Sequence, residues 1–371
     1  MRFYRPTFAE IDLSALRHNL RKIRDMVGPD TKILGVVKAD AYGHGMKDIA
    51  RVLAKDGIDY LGVASLDEAV ELRSIGIRRK ILVLGAILER EIEGVLKFDV
   101  IQTISCLRIA KALSSFAAGK NKKIRVHLKI DTGMGRIGVW HKEAVTFVQQ
   151  VARLKNIIID GIFTHFPSAE CDINFTRQQI RDFSCLVEDL KNHGIDIPIK
   201  HTSNSMAIAG FKEAHMNMVR PGLLMYGLYP RKDLKNRLRL RPVLSLKTKV
   251  VYVKSIMKGR SVSYGRTYIA DKKTKIATIP IGYGDGYSRH LSNKASVLIK
   301  GKRVPIVGRI CMDMSMIDVG ILGNVKPGDN VVLIGKQGKG HISVEELAEL
   351  ENTIPYEVVC NIGRRVPRIY C

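Results

Sequence analysis

The stretch KILGVVKA, residues 32–39, opens a repeating pattern of short β-branched runs and amphipathic segments. Segments such as MKDIARVLAKDG and TRQQIRDFSCLVEDLKNHG have helical periodicity, and several close at a glycine, as helix C-caps do. Eight strand–helix units over about 200 residues predict a (β/α)8 barrel of the TIM type, in the α/β class, better than an open sheet. The predicted strands are 32–39, 60–65, 80–86, 100–105, 124–131, 157–166, 199–205 and 218–228.

The pattern changes after about residue 240. Runs such as VLSLKTKVVYVKSI and ASVLIKGKRVPIVGRI are separated by turns that contain glycine, and SVEELAEL is the one plausible helix. We predict a barrel domain over residues 1–240 and a mostly-β C-terminal domain over 241–371. The first ten or so residues are assigned either to the barrel or to packing with the β domain.

The net charge is unusual, because 61 Lys and Arg stand against 36 Asp and Glu, which gives +25 at pH 7. Such a charge favours anionic ligands, including nucleic acid, membranes and small anions. The basic residues are spread along the chain and form no long basic tail. We therefore interpret most of them as solvated surface, and expect no nucleic-acid or membrane partner.

Cysteine use and the N-terminal segment indicate the compartment. The six cysteines have no CxxC spacing, and a chain of this length needs no disulfide framework. Glu10 and Asp12 stand where a signal peptide needs an unbroken apolar stretch, and no run approaches the roughly 18 apolar residues of a membrane helix. We expect a cytoplasmic protein without a bound metal.

Lys38 lies at the end of the first predicted strand, in VVKADAYGHG (36–45). Lysine is depleted from strands that are buried in parallel sheets, because its ammonium group loses hydration there. Burial also lowers the pKa of a lysine, which supplies the neutral amine that forms a Schiff base with an aldehyde. Taken alone, however, Lys38 is more simply a strand-end lysine that reaches the surface.

The stretch IDTGMGRIG, residues 130–138, contains a formal G-x-G-x-x-G at Gly133, Gly135 and Gly138. It follows a predicted strand and precedes a predicted helix, with Asp160 roughly 20 residues further on, so a dinucleotide-binding Rossmann site is an alternative. Against this alternative, four predicted strands precede the motif, whereas the fingerprint usually opens a domain.

The last two predicted barrel strands carry Ser205 and the run RPGL (220–223). Barrel enzymes commonly bind phosphate with the loops after strands seven and eight, through backbone N–H groups. Ser205 and the amides of Gly222 and Leu223 are therefore candidates for a phosphate site. A serine cap and a tight turn would be the simpler interpretation if Lys38 did not lie on the same barrel face.

These motifs resemble those of alanine racemases. Residues 36–45 match the cofactor-lysine motif of that family, V-x-K-A-[DN]-[AG]-Y-G-H-G, at every position, and residues 129–138 match K-x-D-T-G-M-x-R-x-G. Four further motifs follow in the family's order: SVSYGRTY (261–268), IGYGDGYSR (281–289), GRICMDMSMIDV (308–319) and IPYE (354–357). The resemblance covers nearly the whole chain. Gly284, where many members have Ala, and Leu223, which replaces a commoner Ile, are small departures.

The resemblance implies a racemase that depends on pyridoxal 5'-phosphate (PLP), interconverts L-alanine and D-alanine, and supplies D-alanine for peptidoglycan. Lys38 would hold the cofactor as an imine and act as one proton-transfer base, and Tyr264 would be the second base on the opposite face of the external aldimine. Arg220 would contact the pyridine nitrogen. Because arginine cannot accept that nitrogen's proton, the carbanion is less delocalised and is reprotonated at Cα. His165 would lie between Arg220 and Tyr264.

The family also implies the remaining contacts and the assembly. Cofactor-binding positions are Lys38, Tyr42, Arg136, Ser205, Arg220, Gly222, Leu223 and Tyr356, and substrate-binding positions are Arg136, Tyr283, Met312 and Asp313. Some members have a carbamylated lysine at the position of Lys129. Tyr264, Met312 and Asp313 would reach in from a partner subunit, so we expect a homodimer with composite active sites and alanine as its small-molecule partner.

Four alternatives stay open at this point. A broader-specificity amino-acid racemase is nearest, because the size of the side-chain pocket cannot be measured from sequence. A barrel-type decarboxylase would have a carboxylate at the position of Arg220. A PLP carrier protein would be a barrel without a second domain. The alternative of a nucleic-acid-binding module is supported by the net charge alone.

Overall fold

The structure is a computed structural model that describes residues 4–231 and 233–371. In the N-terminal part, all strands are short and most are buried. They are β1 Phe8–Ile11, β2 Lys32–Val36, β3 Tyr60–Val63, β4 Lys80–Val83, β5 Ile101–Ile104, β6 Ile124–Asp131, β7 Val139–Trp140, β8 Ile157–Phe163, β9 Ile199–His201 and β10 Met218–Val219.

Eight of these strands form one parallel sheet in the order β10-β2-β3-β4-β5-β6-β8-β9. The two ends of the sheet approach each other, because the N–H of Arg220 donates to the carbonyl of Ser203 at 3.0 Å. The N–H of Lys200 likewise donates to the Asn217 side chain at 2.7 Å. The sheet is therefore a nearly closed barrel, which confirms the predicted fold class.

Helices connect the barrel strands and cover their outer face. The first of them begins where the Asp12 side chain accepts a hydrogen bond from the N–H of Ala15, and buries Leu16 and Ile23 against the barrel. The helices are Leu13–Val27, Met46–Lys55, Leu66–Ser74, Ile92–Lys97, Leu107–Ala118, Ala144–Ala152, Ile173–Asn192, Ser205–Gly210 and Leu234–Leu238, with Val344–Glu351 and Pro355–Cys360 in the C-terminal part.

The predicted strands begin within a residue of the observed ones, but most end too late. The largest difference is in the eighth strand, predicted over 218–228, which ends at Val219. The apolar run after it forms a fully buried 3-10 helix, Leu223–Tyr226, so burial and not strand structure explains its hydrophobicity. Several of the residues beyond the strand ends, among them Lys38, His165 and Arg220, line the cavity described below.

The C-terminal part consists mainly of antiparallel strands. They are β11 Leu244–Lys249, β12 Tyr252–Ile256, β13 Ser261–Val262, β14 Tyr268–Ile269, β15 Thr274–Ile279, β16 Ser296–Ile299, β17 Lys302–Pro305, β18 Ser315–Asp318, β19 Asn330–Gln337, β20 Gly340–Ile342 and β21 Arg368–Tyr370. The main sheet has the order β17-β16-β19-β11-β1-β21, with β20 beside β19. Residues 8–11 thus belong to the C-terminal sheet, where β1 pairs with both β11 and β21.

The remaining strands form two small sheets, β12-β15-β18 and β13-β14. None of the helices within the described residues is long and apolar enough to cross a membrane.

Candidate active site

A cavity of about 400 Å³ lies at the carboxyl ends of the barrel strands. Its wall brings together nearly all the site residues predicted in the barrel, together with one segment of the C-terminal part. The lining residues are Val36, Lys38, Tyr42, Leu84, Lys129, Arg136, Ile137, Phe163, His165, Asn204, Ser205, Arg220, Gly222, Ile354 and Tyr356.

Lys38 enters this cavity from an unusual backbone segment. The four residues after it, Ala39 to Tyr42, all have φ between 51° and 53° and ψ near 50°, so they form one left-handed helical turn. Non-glycine residues pay roughly 1–2 kcal/mol each for this conformation. A strained backbone conformation persists only where contacts with the surrounding structure hold it in place, and such conformations are concentrated at functional sites.

The contacts that hold this turn are hydrogen bonds to side chains and to the backbone around it. Glu68 accepts from the N–H of Ala39 at 2.7 Å, and the Asp40 carboxylate accepts from the N–H of Met46 at 2.7 Å. His44 is fully buried, and its Nδ1 lies 2.8 Å from the Tyr42 carbonyl. The turn aims the Lys38 amine and the Tyr42 phenol into the same cavity.

The Lys38 amine is partly buried and lies near the positive charge of Arg136. Burial lowers its pKa, and the positive charge of Arg136 lowers it further. A larger neutral fraction of the amine results, and the neutral form is the one that attacks an aldehyde carbonyl.

A second group of cavity residues, the Ser205–Gly222 cradle, brings a hydroxyl and backbone amides together. The Ser205 hydroxyl accepts from the amides of Gly222 at 3.0 Å and Leu224 at 3.4 Å, whereas the sequence predicted the amides of Gly222 and Leu223 beside it. A Cβ on Gly222 would lie 2.7 Å from the Tyr42 hydroxyl, so the phenol and the backbone approach too closely for any side chain. The Tyr356 ring packs edge-on against Tyr42 at 5.6 Å.

Arg220 is buried beside these groups and is held by neutral acceptors. Its Nη2 donates to the carbonyls of Thr164 at 2.8 Å and Thr202 at 2.9 Å and contacts the Nδ1 of His165 at 3.4 Å. Burial lowers the pKa of Arg220 to about 9, which leaves the guanidinium cationic at neutral pH. The pKa of His165 is lowered well below its usual value by burial and by the Arg220 charge, so His165 is neutral.

Lys129 is 2% exposed at the side of the cavity. Its Nζ donates to the Ile130 carbonyl at 2.9 Å and lies 5.3 Å from the centre of the Phe163 ring. Burial, helped by the charge of Arg220, lowers the pKa of Lys129 to about 7. The amine is therefore partly neutral at physiological pH and is able to react with an electrophile.

The glycine-rich motif does not open a dinucleotide site. The amides of Gly133, Met134 and Gly135 donate to the Asp131 carboxylate at 2.9–3.2 Å. The next α-helix begins only at Ala144. The Rossmann alternative is therefore wrong: the amides bind an internal carboxylate, and the loop presents Arg136 to the cavity.

The predicted site residues of the C-terminal part lie elsewhere. Tyr264, Met312 and Asp313 line a surface cleft of about 640 Å³ that shares no residue with the barrel cavity. Tyr264 is 70% exposed and Met312 is 53% exposed. Tyr283 lies next to this cleft, where its N–H donates to the Cys311 carbonyl at 3.0 Å. One chain therefore does not bring Tyr264 to Lys38.

Sequence reasoning missed several neighbours of the predicted residues. Phe163 packs under Arg220, with 5.4 Å from the guanidinium carbon to the ring centre, and stacks on His201 at 4.6 Å. Asn204 and Ile354 also line the cavity. The only sequence signal for Phe163 was its place near the end of a predicted strand, because an aromatic side chain in a buried strand is usually interpreted as part of the hydrophobic core.

The fold and the cavity define a barrel enzyme whose site contains a lysine amine, a buried arginine and the Ser205–Gly222 cradle. The alanine racemase N-terminal domain family matches residues 11–230, and the alanine racemase C-terminal domain family matches residues 243–370. The chain is 49% identical to the alanine racemase of Halothermothrix orenii over 100% of its own length and 98% of the relative's.

Solved structures give the same answer. The structure matches alanine racemase from Clostridium difficile 630 with a TM-score of 0.94 at 41% identity, covering 100% of this chain and 97% of that one. It also matches alanine racemase from Bacillus anthracis with bound L-Ala-P, with a TM-score of 0.94 at 39% identity, covering 100% and 96% of the two chains. The chain belongs to the alanine racemase family.

Proposed function

We propose that this chain is an alanine racemase that binds PLP in the barrel cavity and interconverts L-alanine and D-alanine. The observation that carries the proposal is the convergence of Lys38, Arg220 and the Ser205–Gly222 cradle on one cavity. A phosphorylated aromatic aldehyde needs these three kinds of contact: an amine, a partner for the ring nitrogen and an oxyanion site.

The residues fit the cofactor. The phosphate would be held by Ser205, Tyr42, Tyr356 and the amides around Gly222. A Cβ on Gly222 would lie 2.7 Å from the Tyr42 hydroxyl, so only glycine leaves the backbone at this position open to a polar group. Lys38 would bind the aldehyde carbon, and Arg220 would lie against the ring nitrogen. When bound, PLP makes the Cα–H of an attached amino acid acidic.

The chain's own groups would then move the proton. The Lys38 amine would remove or return the Cα proton on one face, and the Tyr264 phenol would do so on the other. Two bases are required because a single base would have to reach both faces of a planar carbon. A phenol with an ordinary pKa near 10 acts as a base only beside positive groups, which Arg220 supplies through His165.

We further propose a homodimer in which Tyr264, Met312 and Asp313 enter the partner's barrel cavity. Tyr264 and Met312 are largely exposed on one cleft, and Ile354, at the rim of the barrel cavity, is 58% exposed. Exposed apolar groups that cluster at a cleft or at the edge of a cavity are a feature of protein–protein contact surfaces. The assembly would close each cavity over its substrate and bring the second base to it.

The remaining cavity residues would bind the substrate carboxylate and tune the site. Arg136, with Tyr283, Met312 and Asp313 of the partner, would orient alanine, because a guanidinium binds a carboxylate in a fork. We propose that Lys129 is carbamylated: its neutral amine adds to carbon dioxide, forms an N–C bond and releases one proton. The carbamate would hold Arg136 through opposite charge.

A racemisation assay across the amino acids, on the protein loaded with PLP, tests this function. We expect alanine to be racemised fastest, and borohydride to fix the cofactor covalently on Lys38, as mapped by peptide mass spectrometry. Faster conversion of a larger amino acid would indicate a broader-specificity racemase. An adduct on another lysine would contradict the proposal.

A further inference from the structure

Two histidines outside the predicted site continue inward from Arg220 along the barrel interior. The Nη1 of Arg220 lies 2.9 Å from the Nδ1 of His201, and the Nε2 of His201 lies 2.8 Å from the Nδ1 of His127. Both histidines are fully buried, and Arg220 is 4% exposed. The three side chains form one continuous hydrogen-bonded row.

The positions of the protons in this row follow from the arginine. A guanidinium only donates, so the Nδ1 of His201 must accept. A neutral imidazole has one proton, which for His201 is then on Nε2 and is donated to the Nδ1 of His127. The proton of His127 is in turn on its own Nε2. Protonating either ring fully would set two donors against each other at less than 3 Å. Both histidines are therefore neutral.

The surroundings favour the same state. Burial lowers the pKa of His127 to about 3, and burial together with the Arg220 charge lowers the pKa of His201 well below its usual value. Within the described residues, each hydrogen-bond partner of Arg220 is a backbone carbonyl or an imidazole nitrogen, without a carboxylate. The row holds the guanidinium in place without neutralising its charge.

We propose that His201 and His127 are positioning residues that fix Arg220 as an uncompensated cation on the floor of the barrel cavity. The inference rests on the proposed function, in which that cation faces the ring nitrogen of PLP. His127 acts through His201: by accepting the Nε2 proton it orients the ring so that Nδ1 faces Arg220, and it makes Nδ1 a stronger acceptor through hydrogen-bond cooperativity.

Packing around the row supports a dedicated arrangement. Phe163 stacks on His201 with only 7° between the ring planes, which fixes the plane of that imidazole. A Cβ on Gly161 would lie 2.5 Å from the His127 ring, so strand β8 leaves room for the imidazole only because it has glycine there. The Nε2 of His127 finds no partner among the described residues. A buried N–H without a partner is unfavourable. Here the unpaired Nε2–H of His127 is the consequence of using its Nδ1 as the acceptor for His201.

Proton positions can be measured directly in the holoenzyme with 15N-labelled histidine. We expect NMR at neutral pH to show His201 and His127 as neutral rings protonated on Nε2, with the signals assigned by single substitutions. A proton on Nδ1 of His201, or a charged ring at either position, would overturn the proposal whether or not any variant folds.

Two substitutions separate positioning from packing. In His127→Asn the amide oxygen occupies the place of Nδ1 and still accepts from His201, whereas His127→Leu has no acceptor. We expect His127→Leu to lower kcat roughly ten- to a hundredfold with little change in KM for alanine, and His127→Asn to restore most of kcat. Equal kcat in the two variants would overturn the positioning role, because a role in packing alone does not distinguish an amide from a larger alkyl group in this way.

The two proposals fail separately. A wild-type chain that does not racemise alanine overturns the proposed function. An active wild-type chain in which His201 or His127 has another protonation state overturns the positioning role alone.

Discussion

The barrel cavity and the Tyr264 cleft are the two parts of this molecule in which site residues were predicted, and they differ in completeness. In the barrel, Lys38, Arg220 and Ser205 converge, and Arg220 and Ser205 are held by buried hydrogen bonds within the chain. In the cleft, Tyr264 and Met312 project from the surface. The barrel half is preorganised by one chain, whereas in the proposed dimer the other half would gain its function only through the partner's surface.

This difference separates two kinds of residue. A group fixed by buried hydrogen bonds, such as Arg220, acts through a position that folding has already determined. A group as exposed as Tyr264 has an ordinary solvent environment until something covers it. Substitutions in the barrel should therefore act within one subunit, and those in the cleft should act on the partner.

The largest effect should come from Lys38→Ala, because in the proposed function Lys38 is both the covalent anchor of the cofactor and one proton-transfer base. We expect racemisation in both directions to be abolished, and borohydride to fix no cofactor on the chain. Lys32→Ala, at the exposed start of the strand β2 that precedes Lys38, should keep full activity as the control. Residual racemisation by Lys38→Ala above the level without enzyme would show that another amine takes part.

Tyr264→Phe keeps the ring but removes the titratable oxygen. The cofactor should still bind, while racemisation falls by roughly 10²–10⁴, the usual contribution of a positioned acid–base group. Exchange of the α-hydrogen with deuterated solvent should persist for one enantiomer, expected to be D-alanine, and nearly vanish for the other. Tyr252→Phe, also exposed in the C-terminal part, is the matched control. Equal exchange of both enantiomers would contradict the two-base mechanism.

Mixing the inactive Lys38→Ala and Tyr264→Phe chains tests whether the cleft serves the partner's cavity. Each mixed dimer should contain one intact site, so activity should recover towards half of the wild-type value per mixed dimer. Subunit exchange is checked independently by mass spectrometry of the native assemblies. Exchange without recovery of activity would place Tyr264 in the site of its own chain.

Arg220→Glu should protonate the ring nitrogen of bound PLP and delocalise the carbanion further. We expect racemisation to fall by roughly 10²–10³, comparable to the loss of a preorganised electrostatic group, and the transamination side product to increase. Arg220→Lys retains the charge and should not increase transamination. If the ratio of the two reactions is the same in all three proteins, Arg220 does not contact the ring.

The smallest effect should concern Lys129. Since its pKa is about 7, the neutral amine becomes more abundant as pH rises through 7, and the carbamate formed in 13C-bicarbonate should increase over the same range. Exposed Lys32, with no comparable burial, should remain unmodified. Lys129→Ala should reduce activity about tenfold, the worth of one charge-assisted hydrogen bond. Absence of the carbamate signal across this range would contradict the modification.

The sequence could predict the barrel because its signals are local. Each β-branched run begins a strand at the expected residue, since a strand buried on both faces needs continuous apolar side chains. The ends of the strands were less predictable. After Val219 the apolar run LLMY folds into a buried 3-10 helix, and hydrophobicity alone does not distinguish the two.

By itself, the sequence determined the fold class, the family resemblance and most of the polar residues that line the barrel cavity, because the ten-residue match around Lys38 and the order of the other motifs are local features of the chain. Only the tertiary structure decided the left-handed turn at Ala39 to Tyr42, the separation of Tyr264 from Lys38, and the row from Arg220 to His127. The turn opposes the local preference of its residues and exists because contacts far along the chain hold it. His127 and His201 are 74 residues apart, and only closure of the barrel brings their rings together.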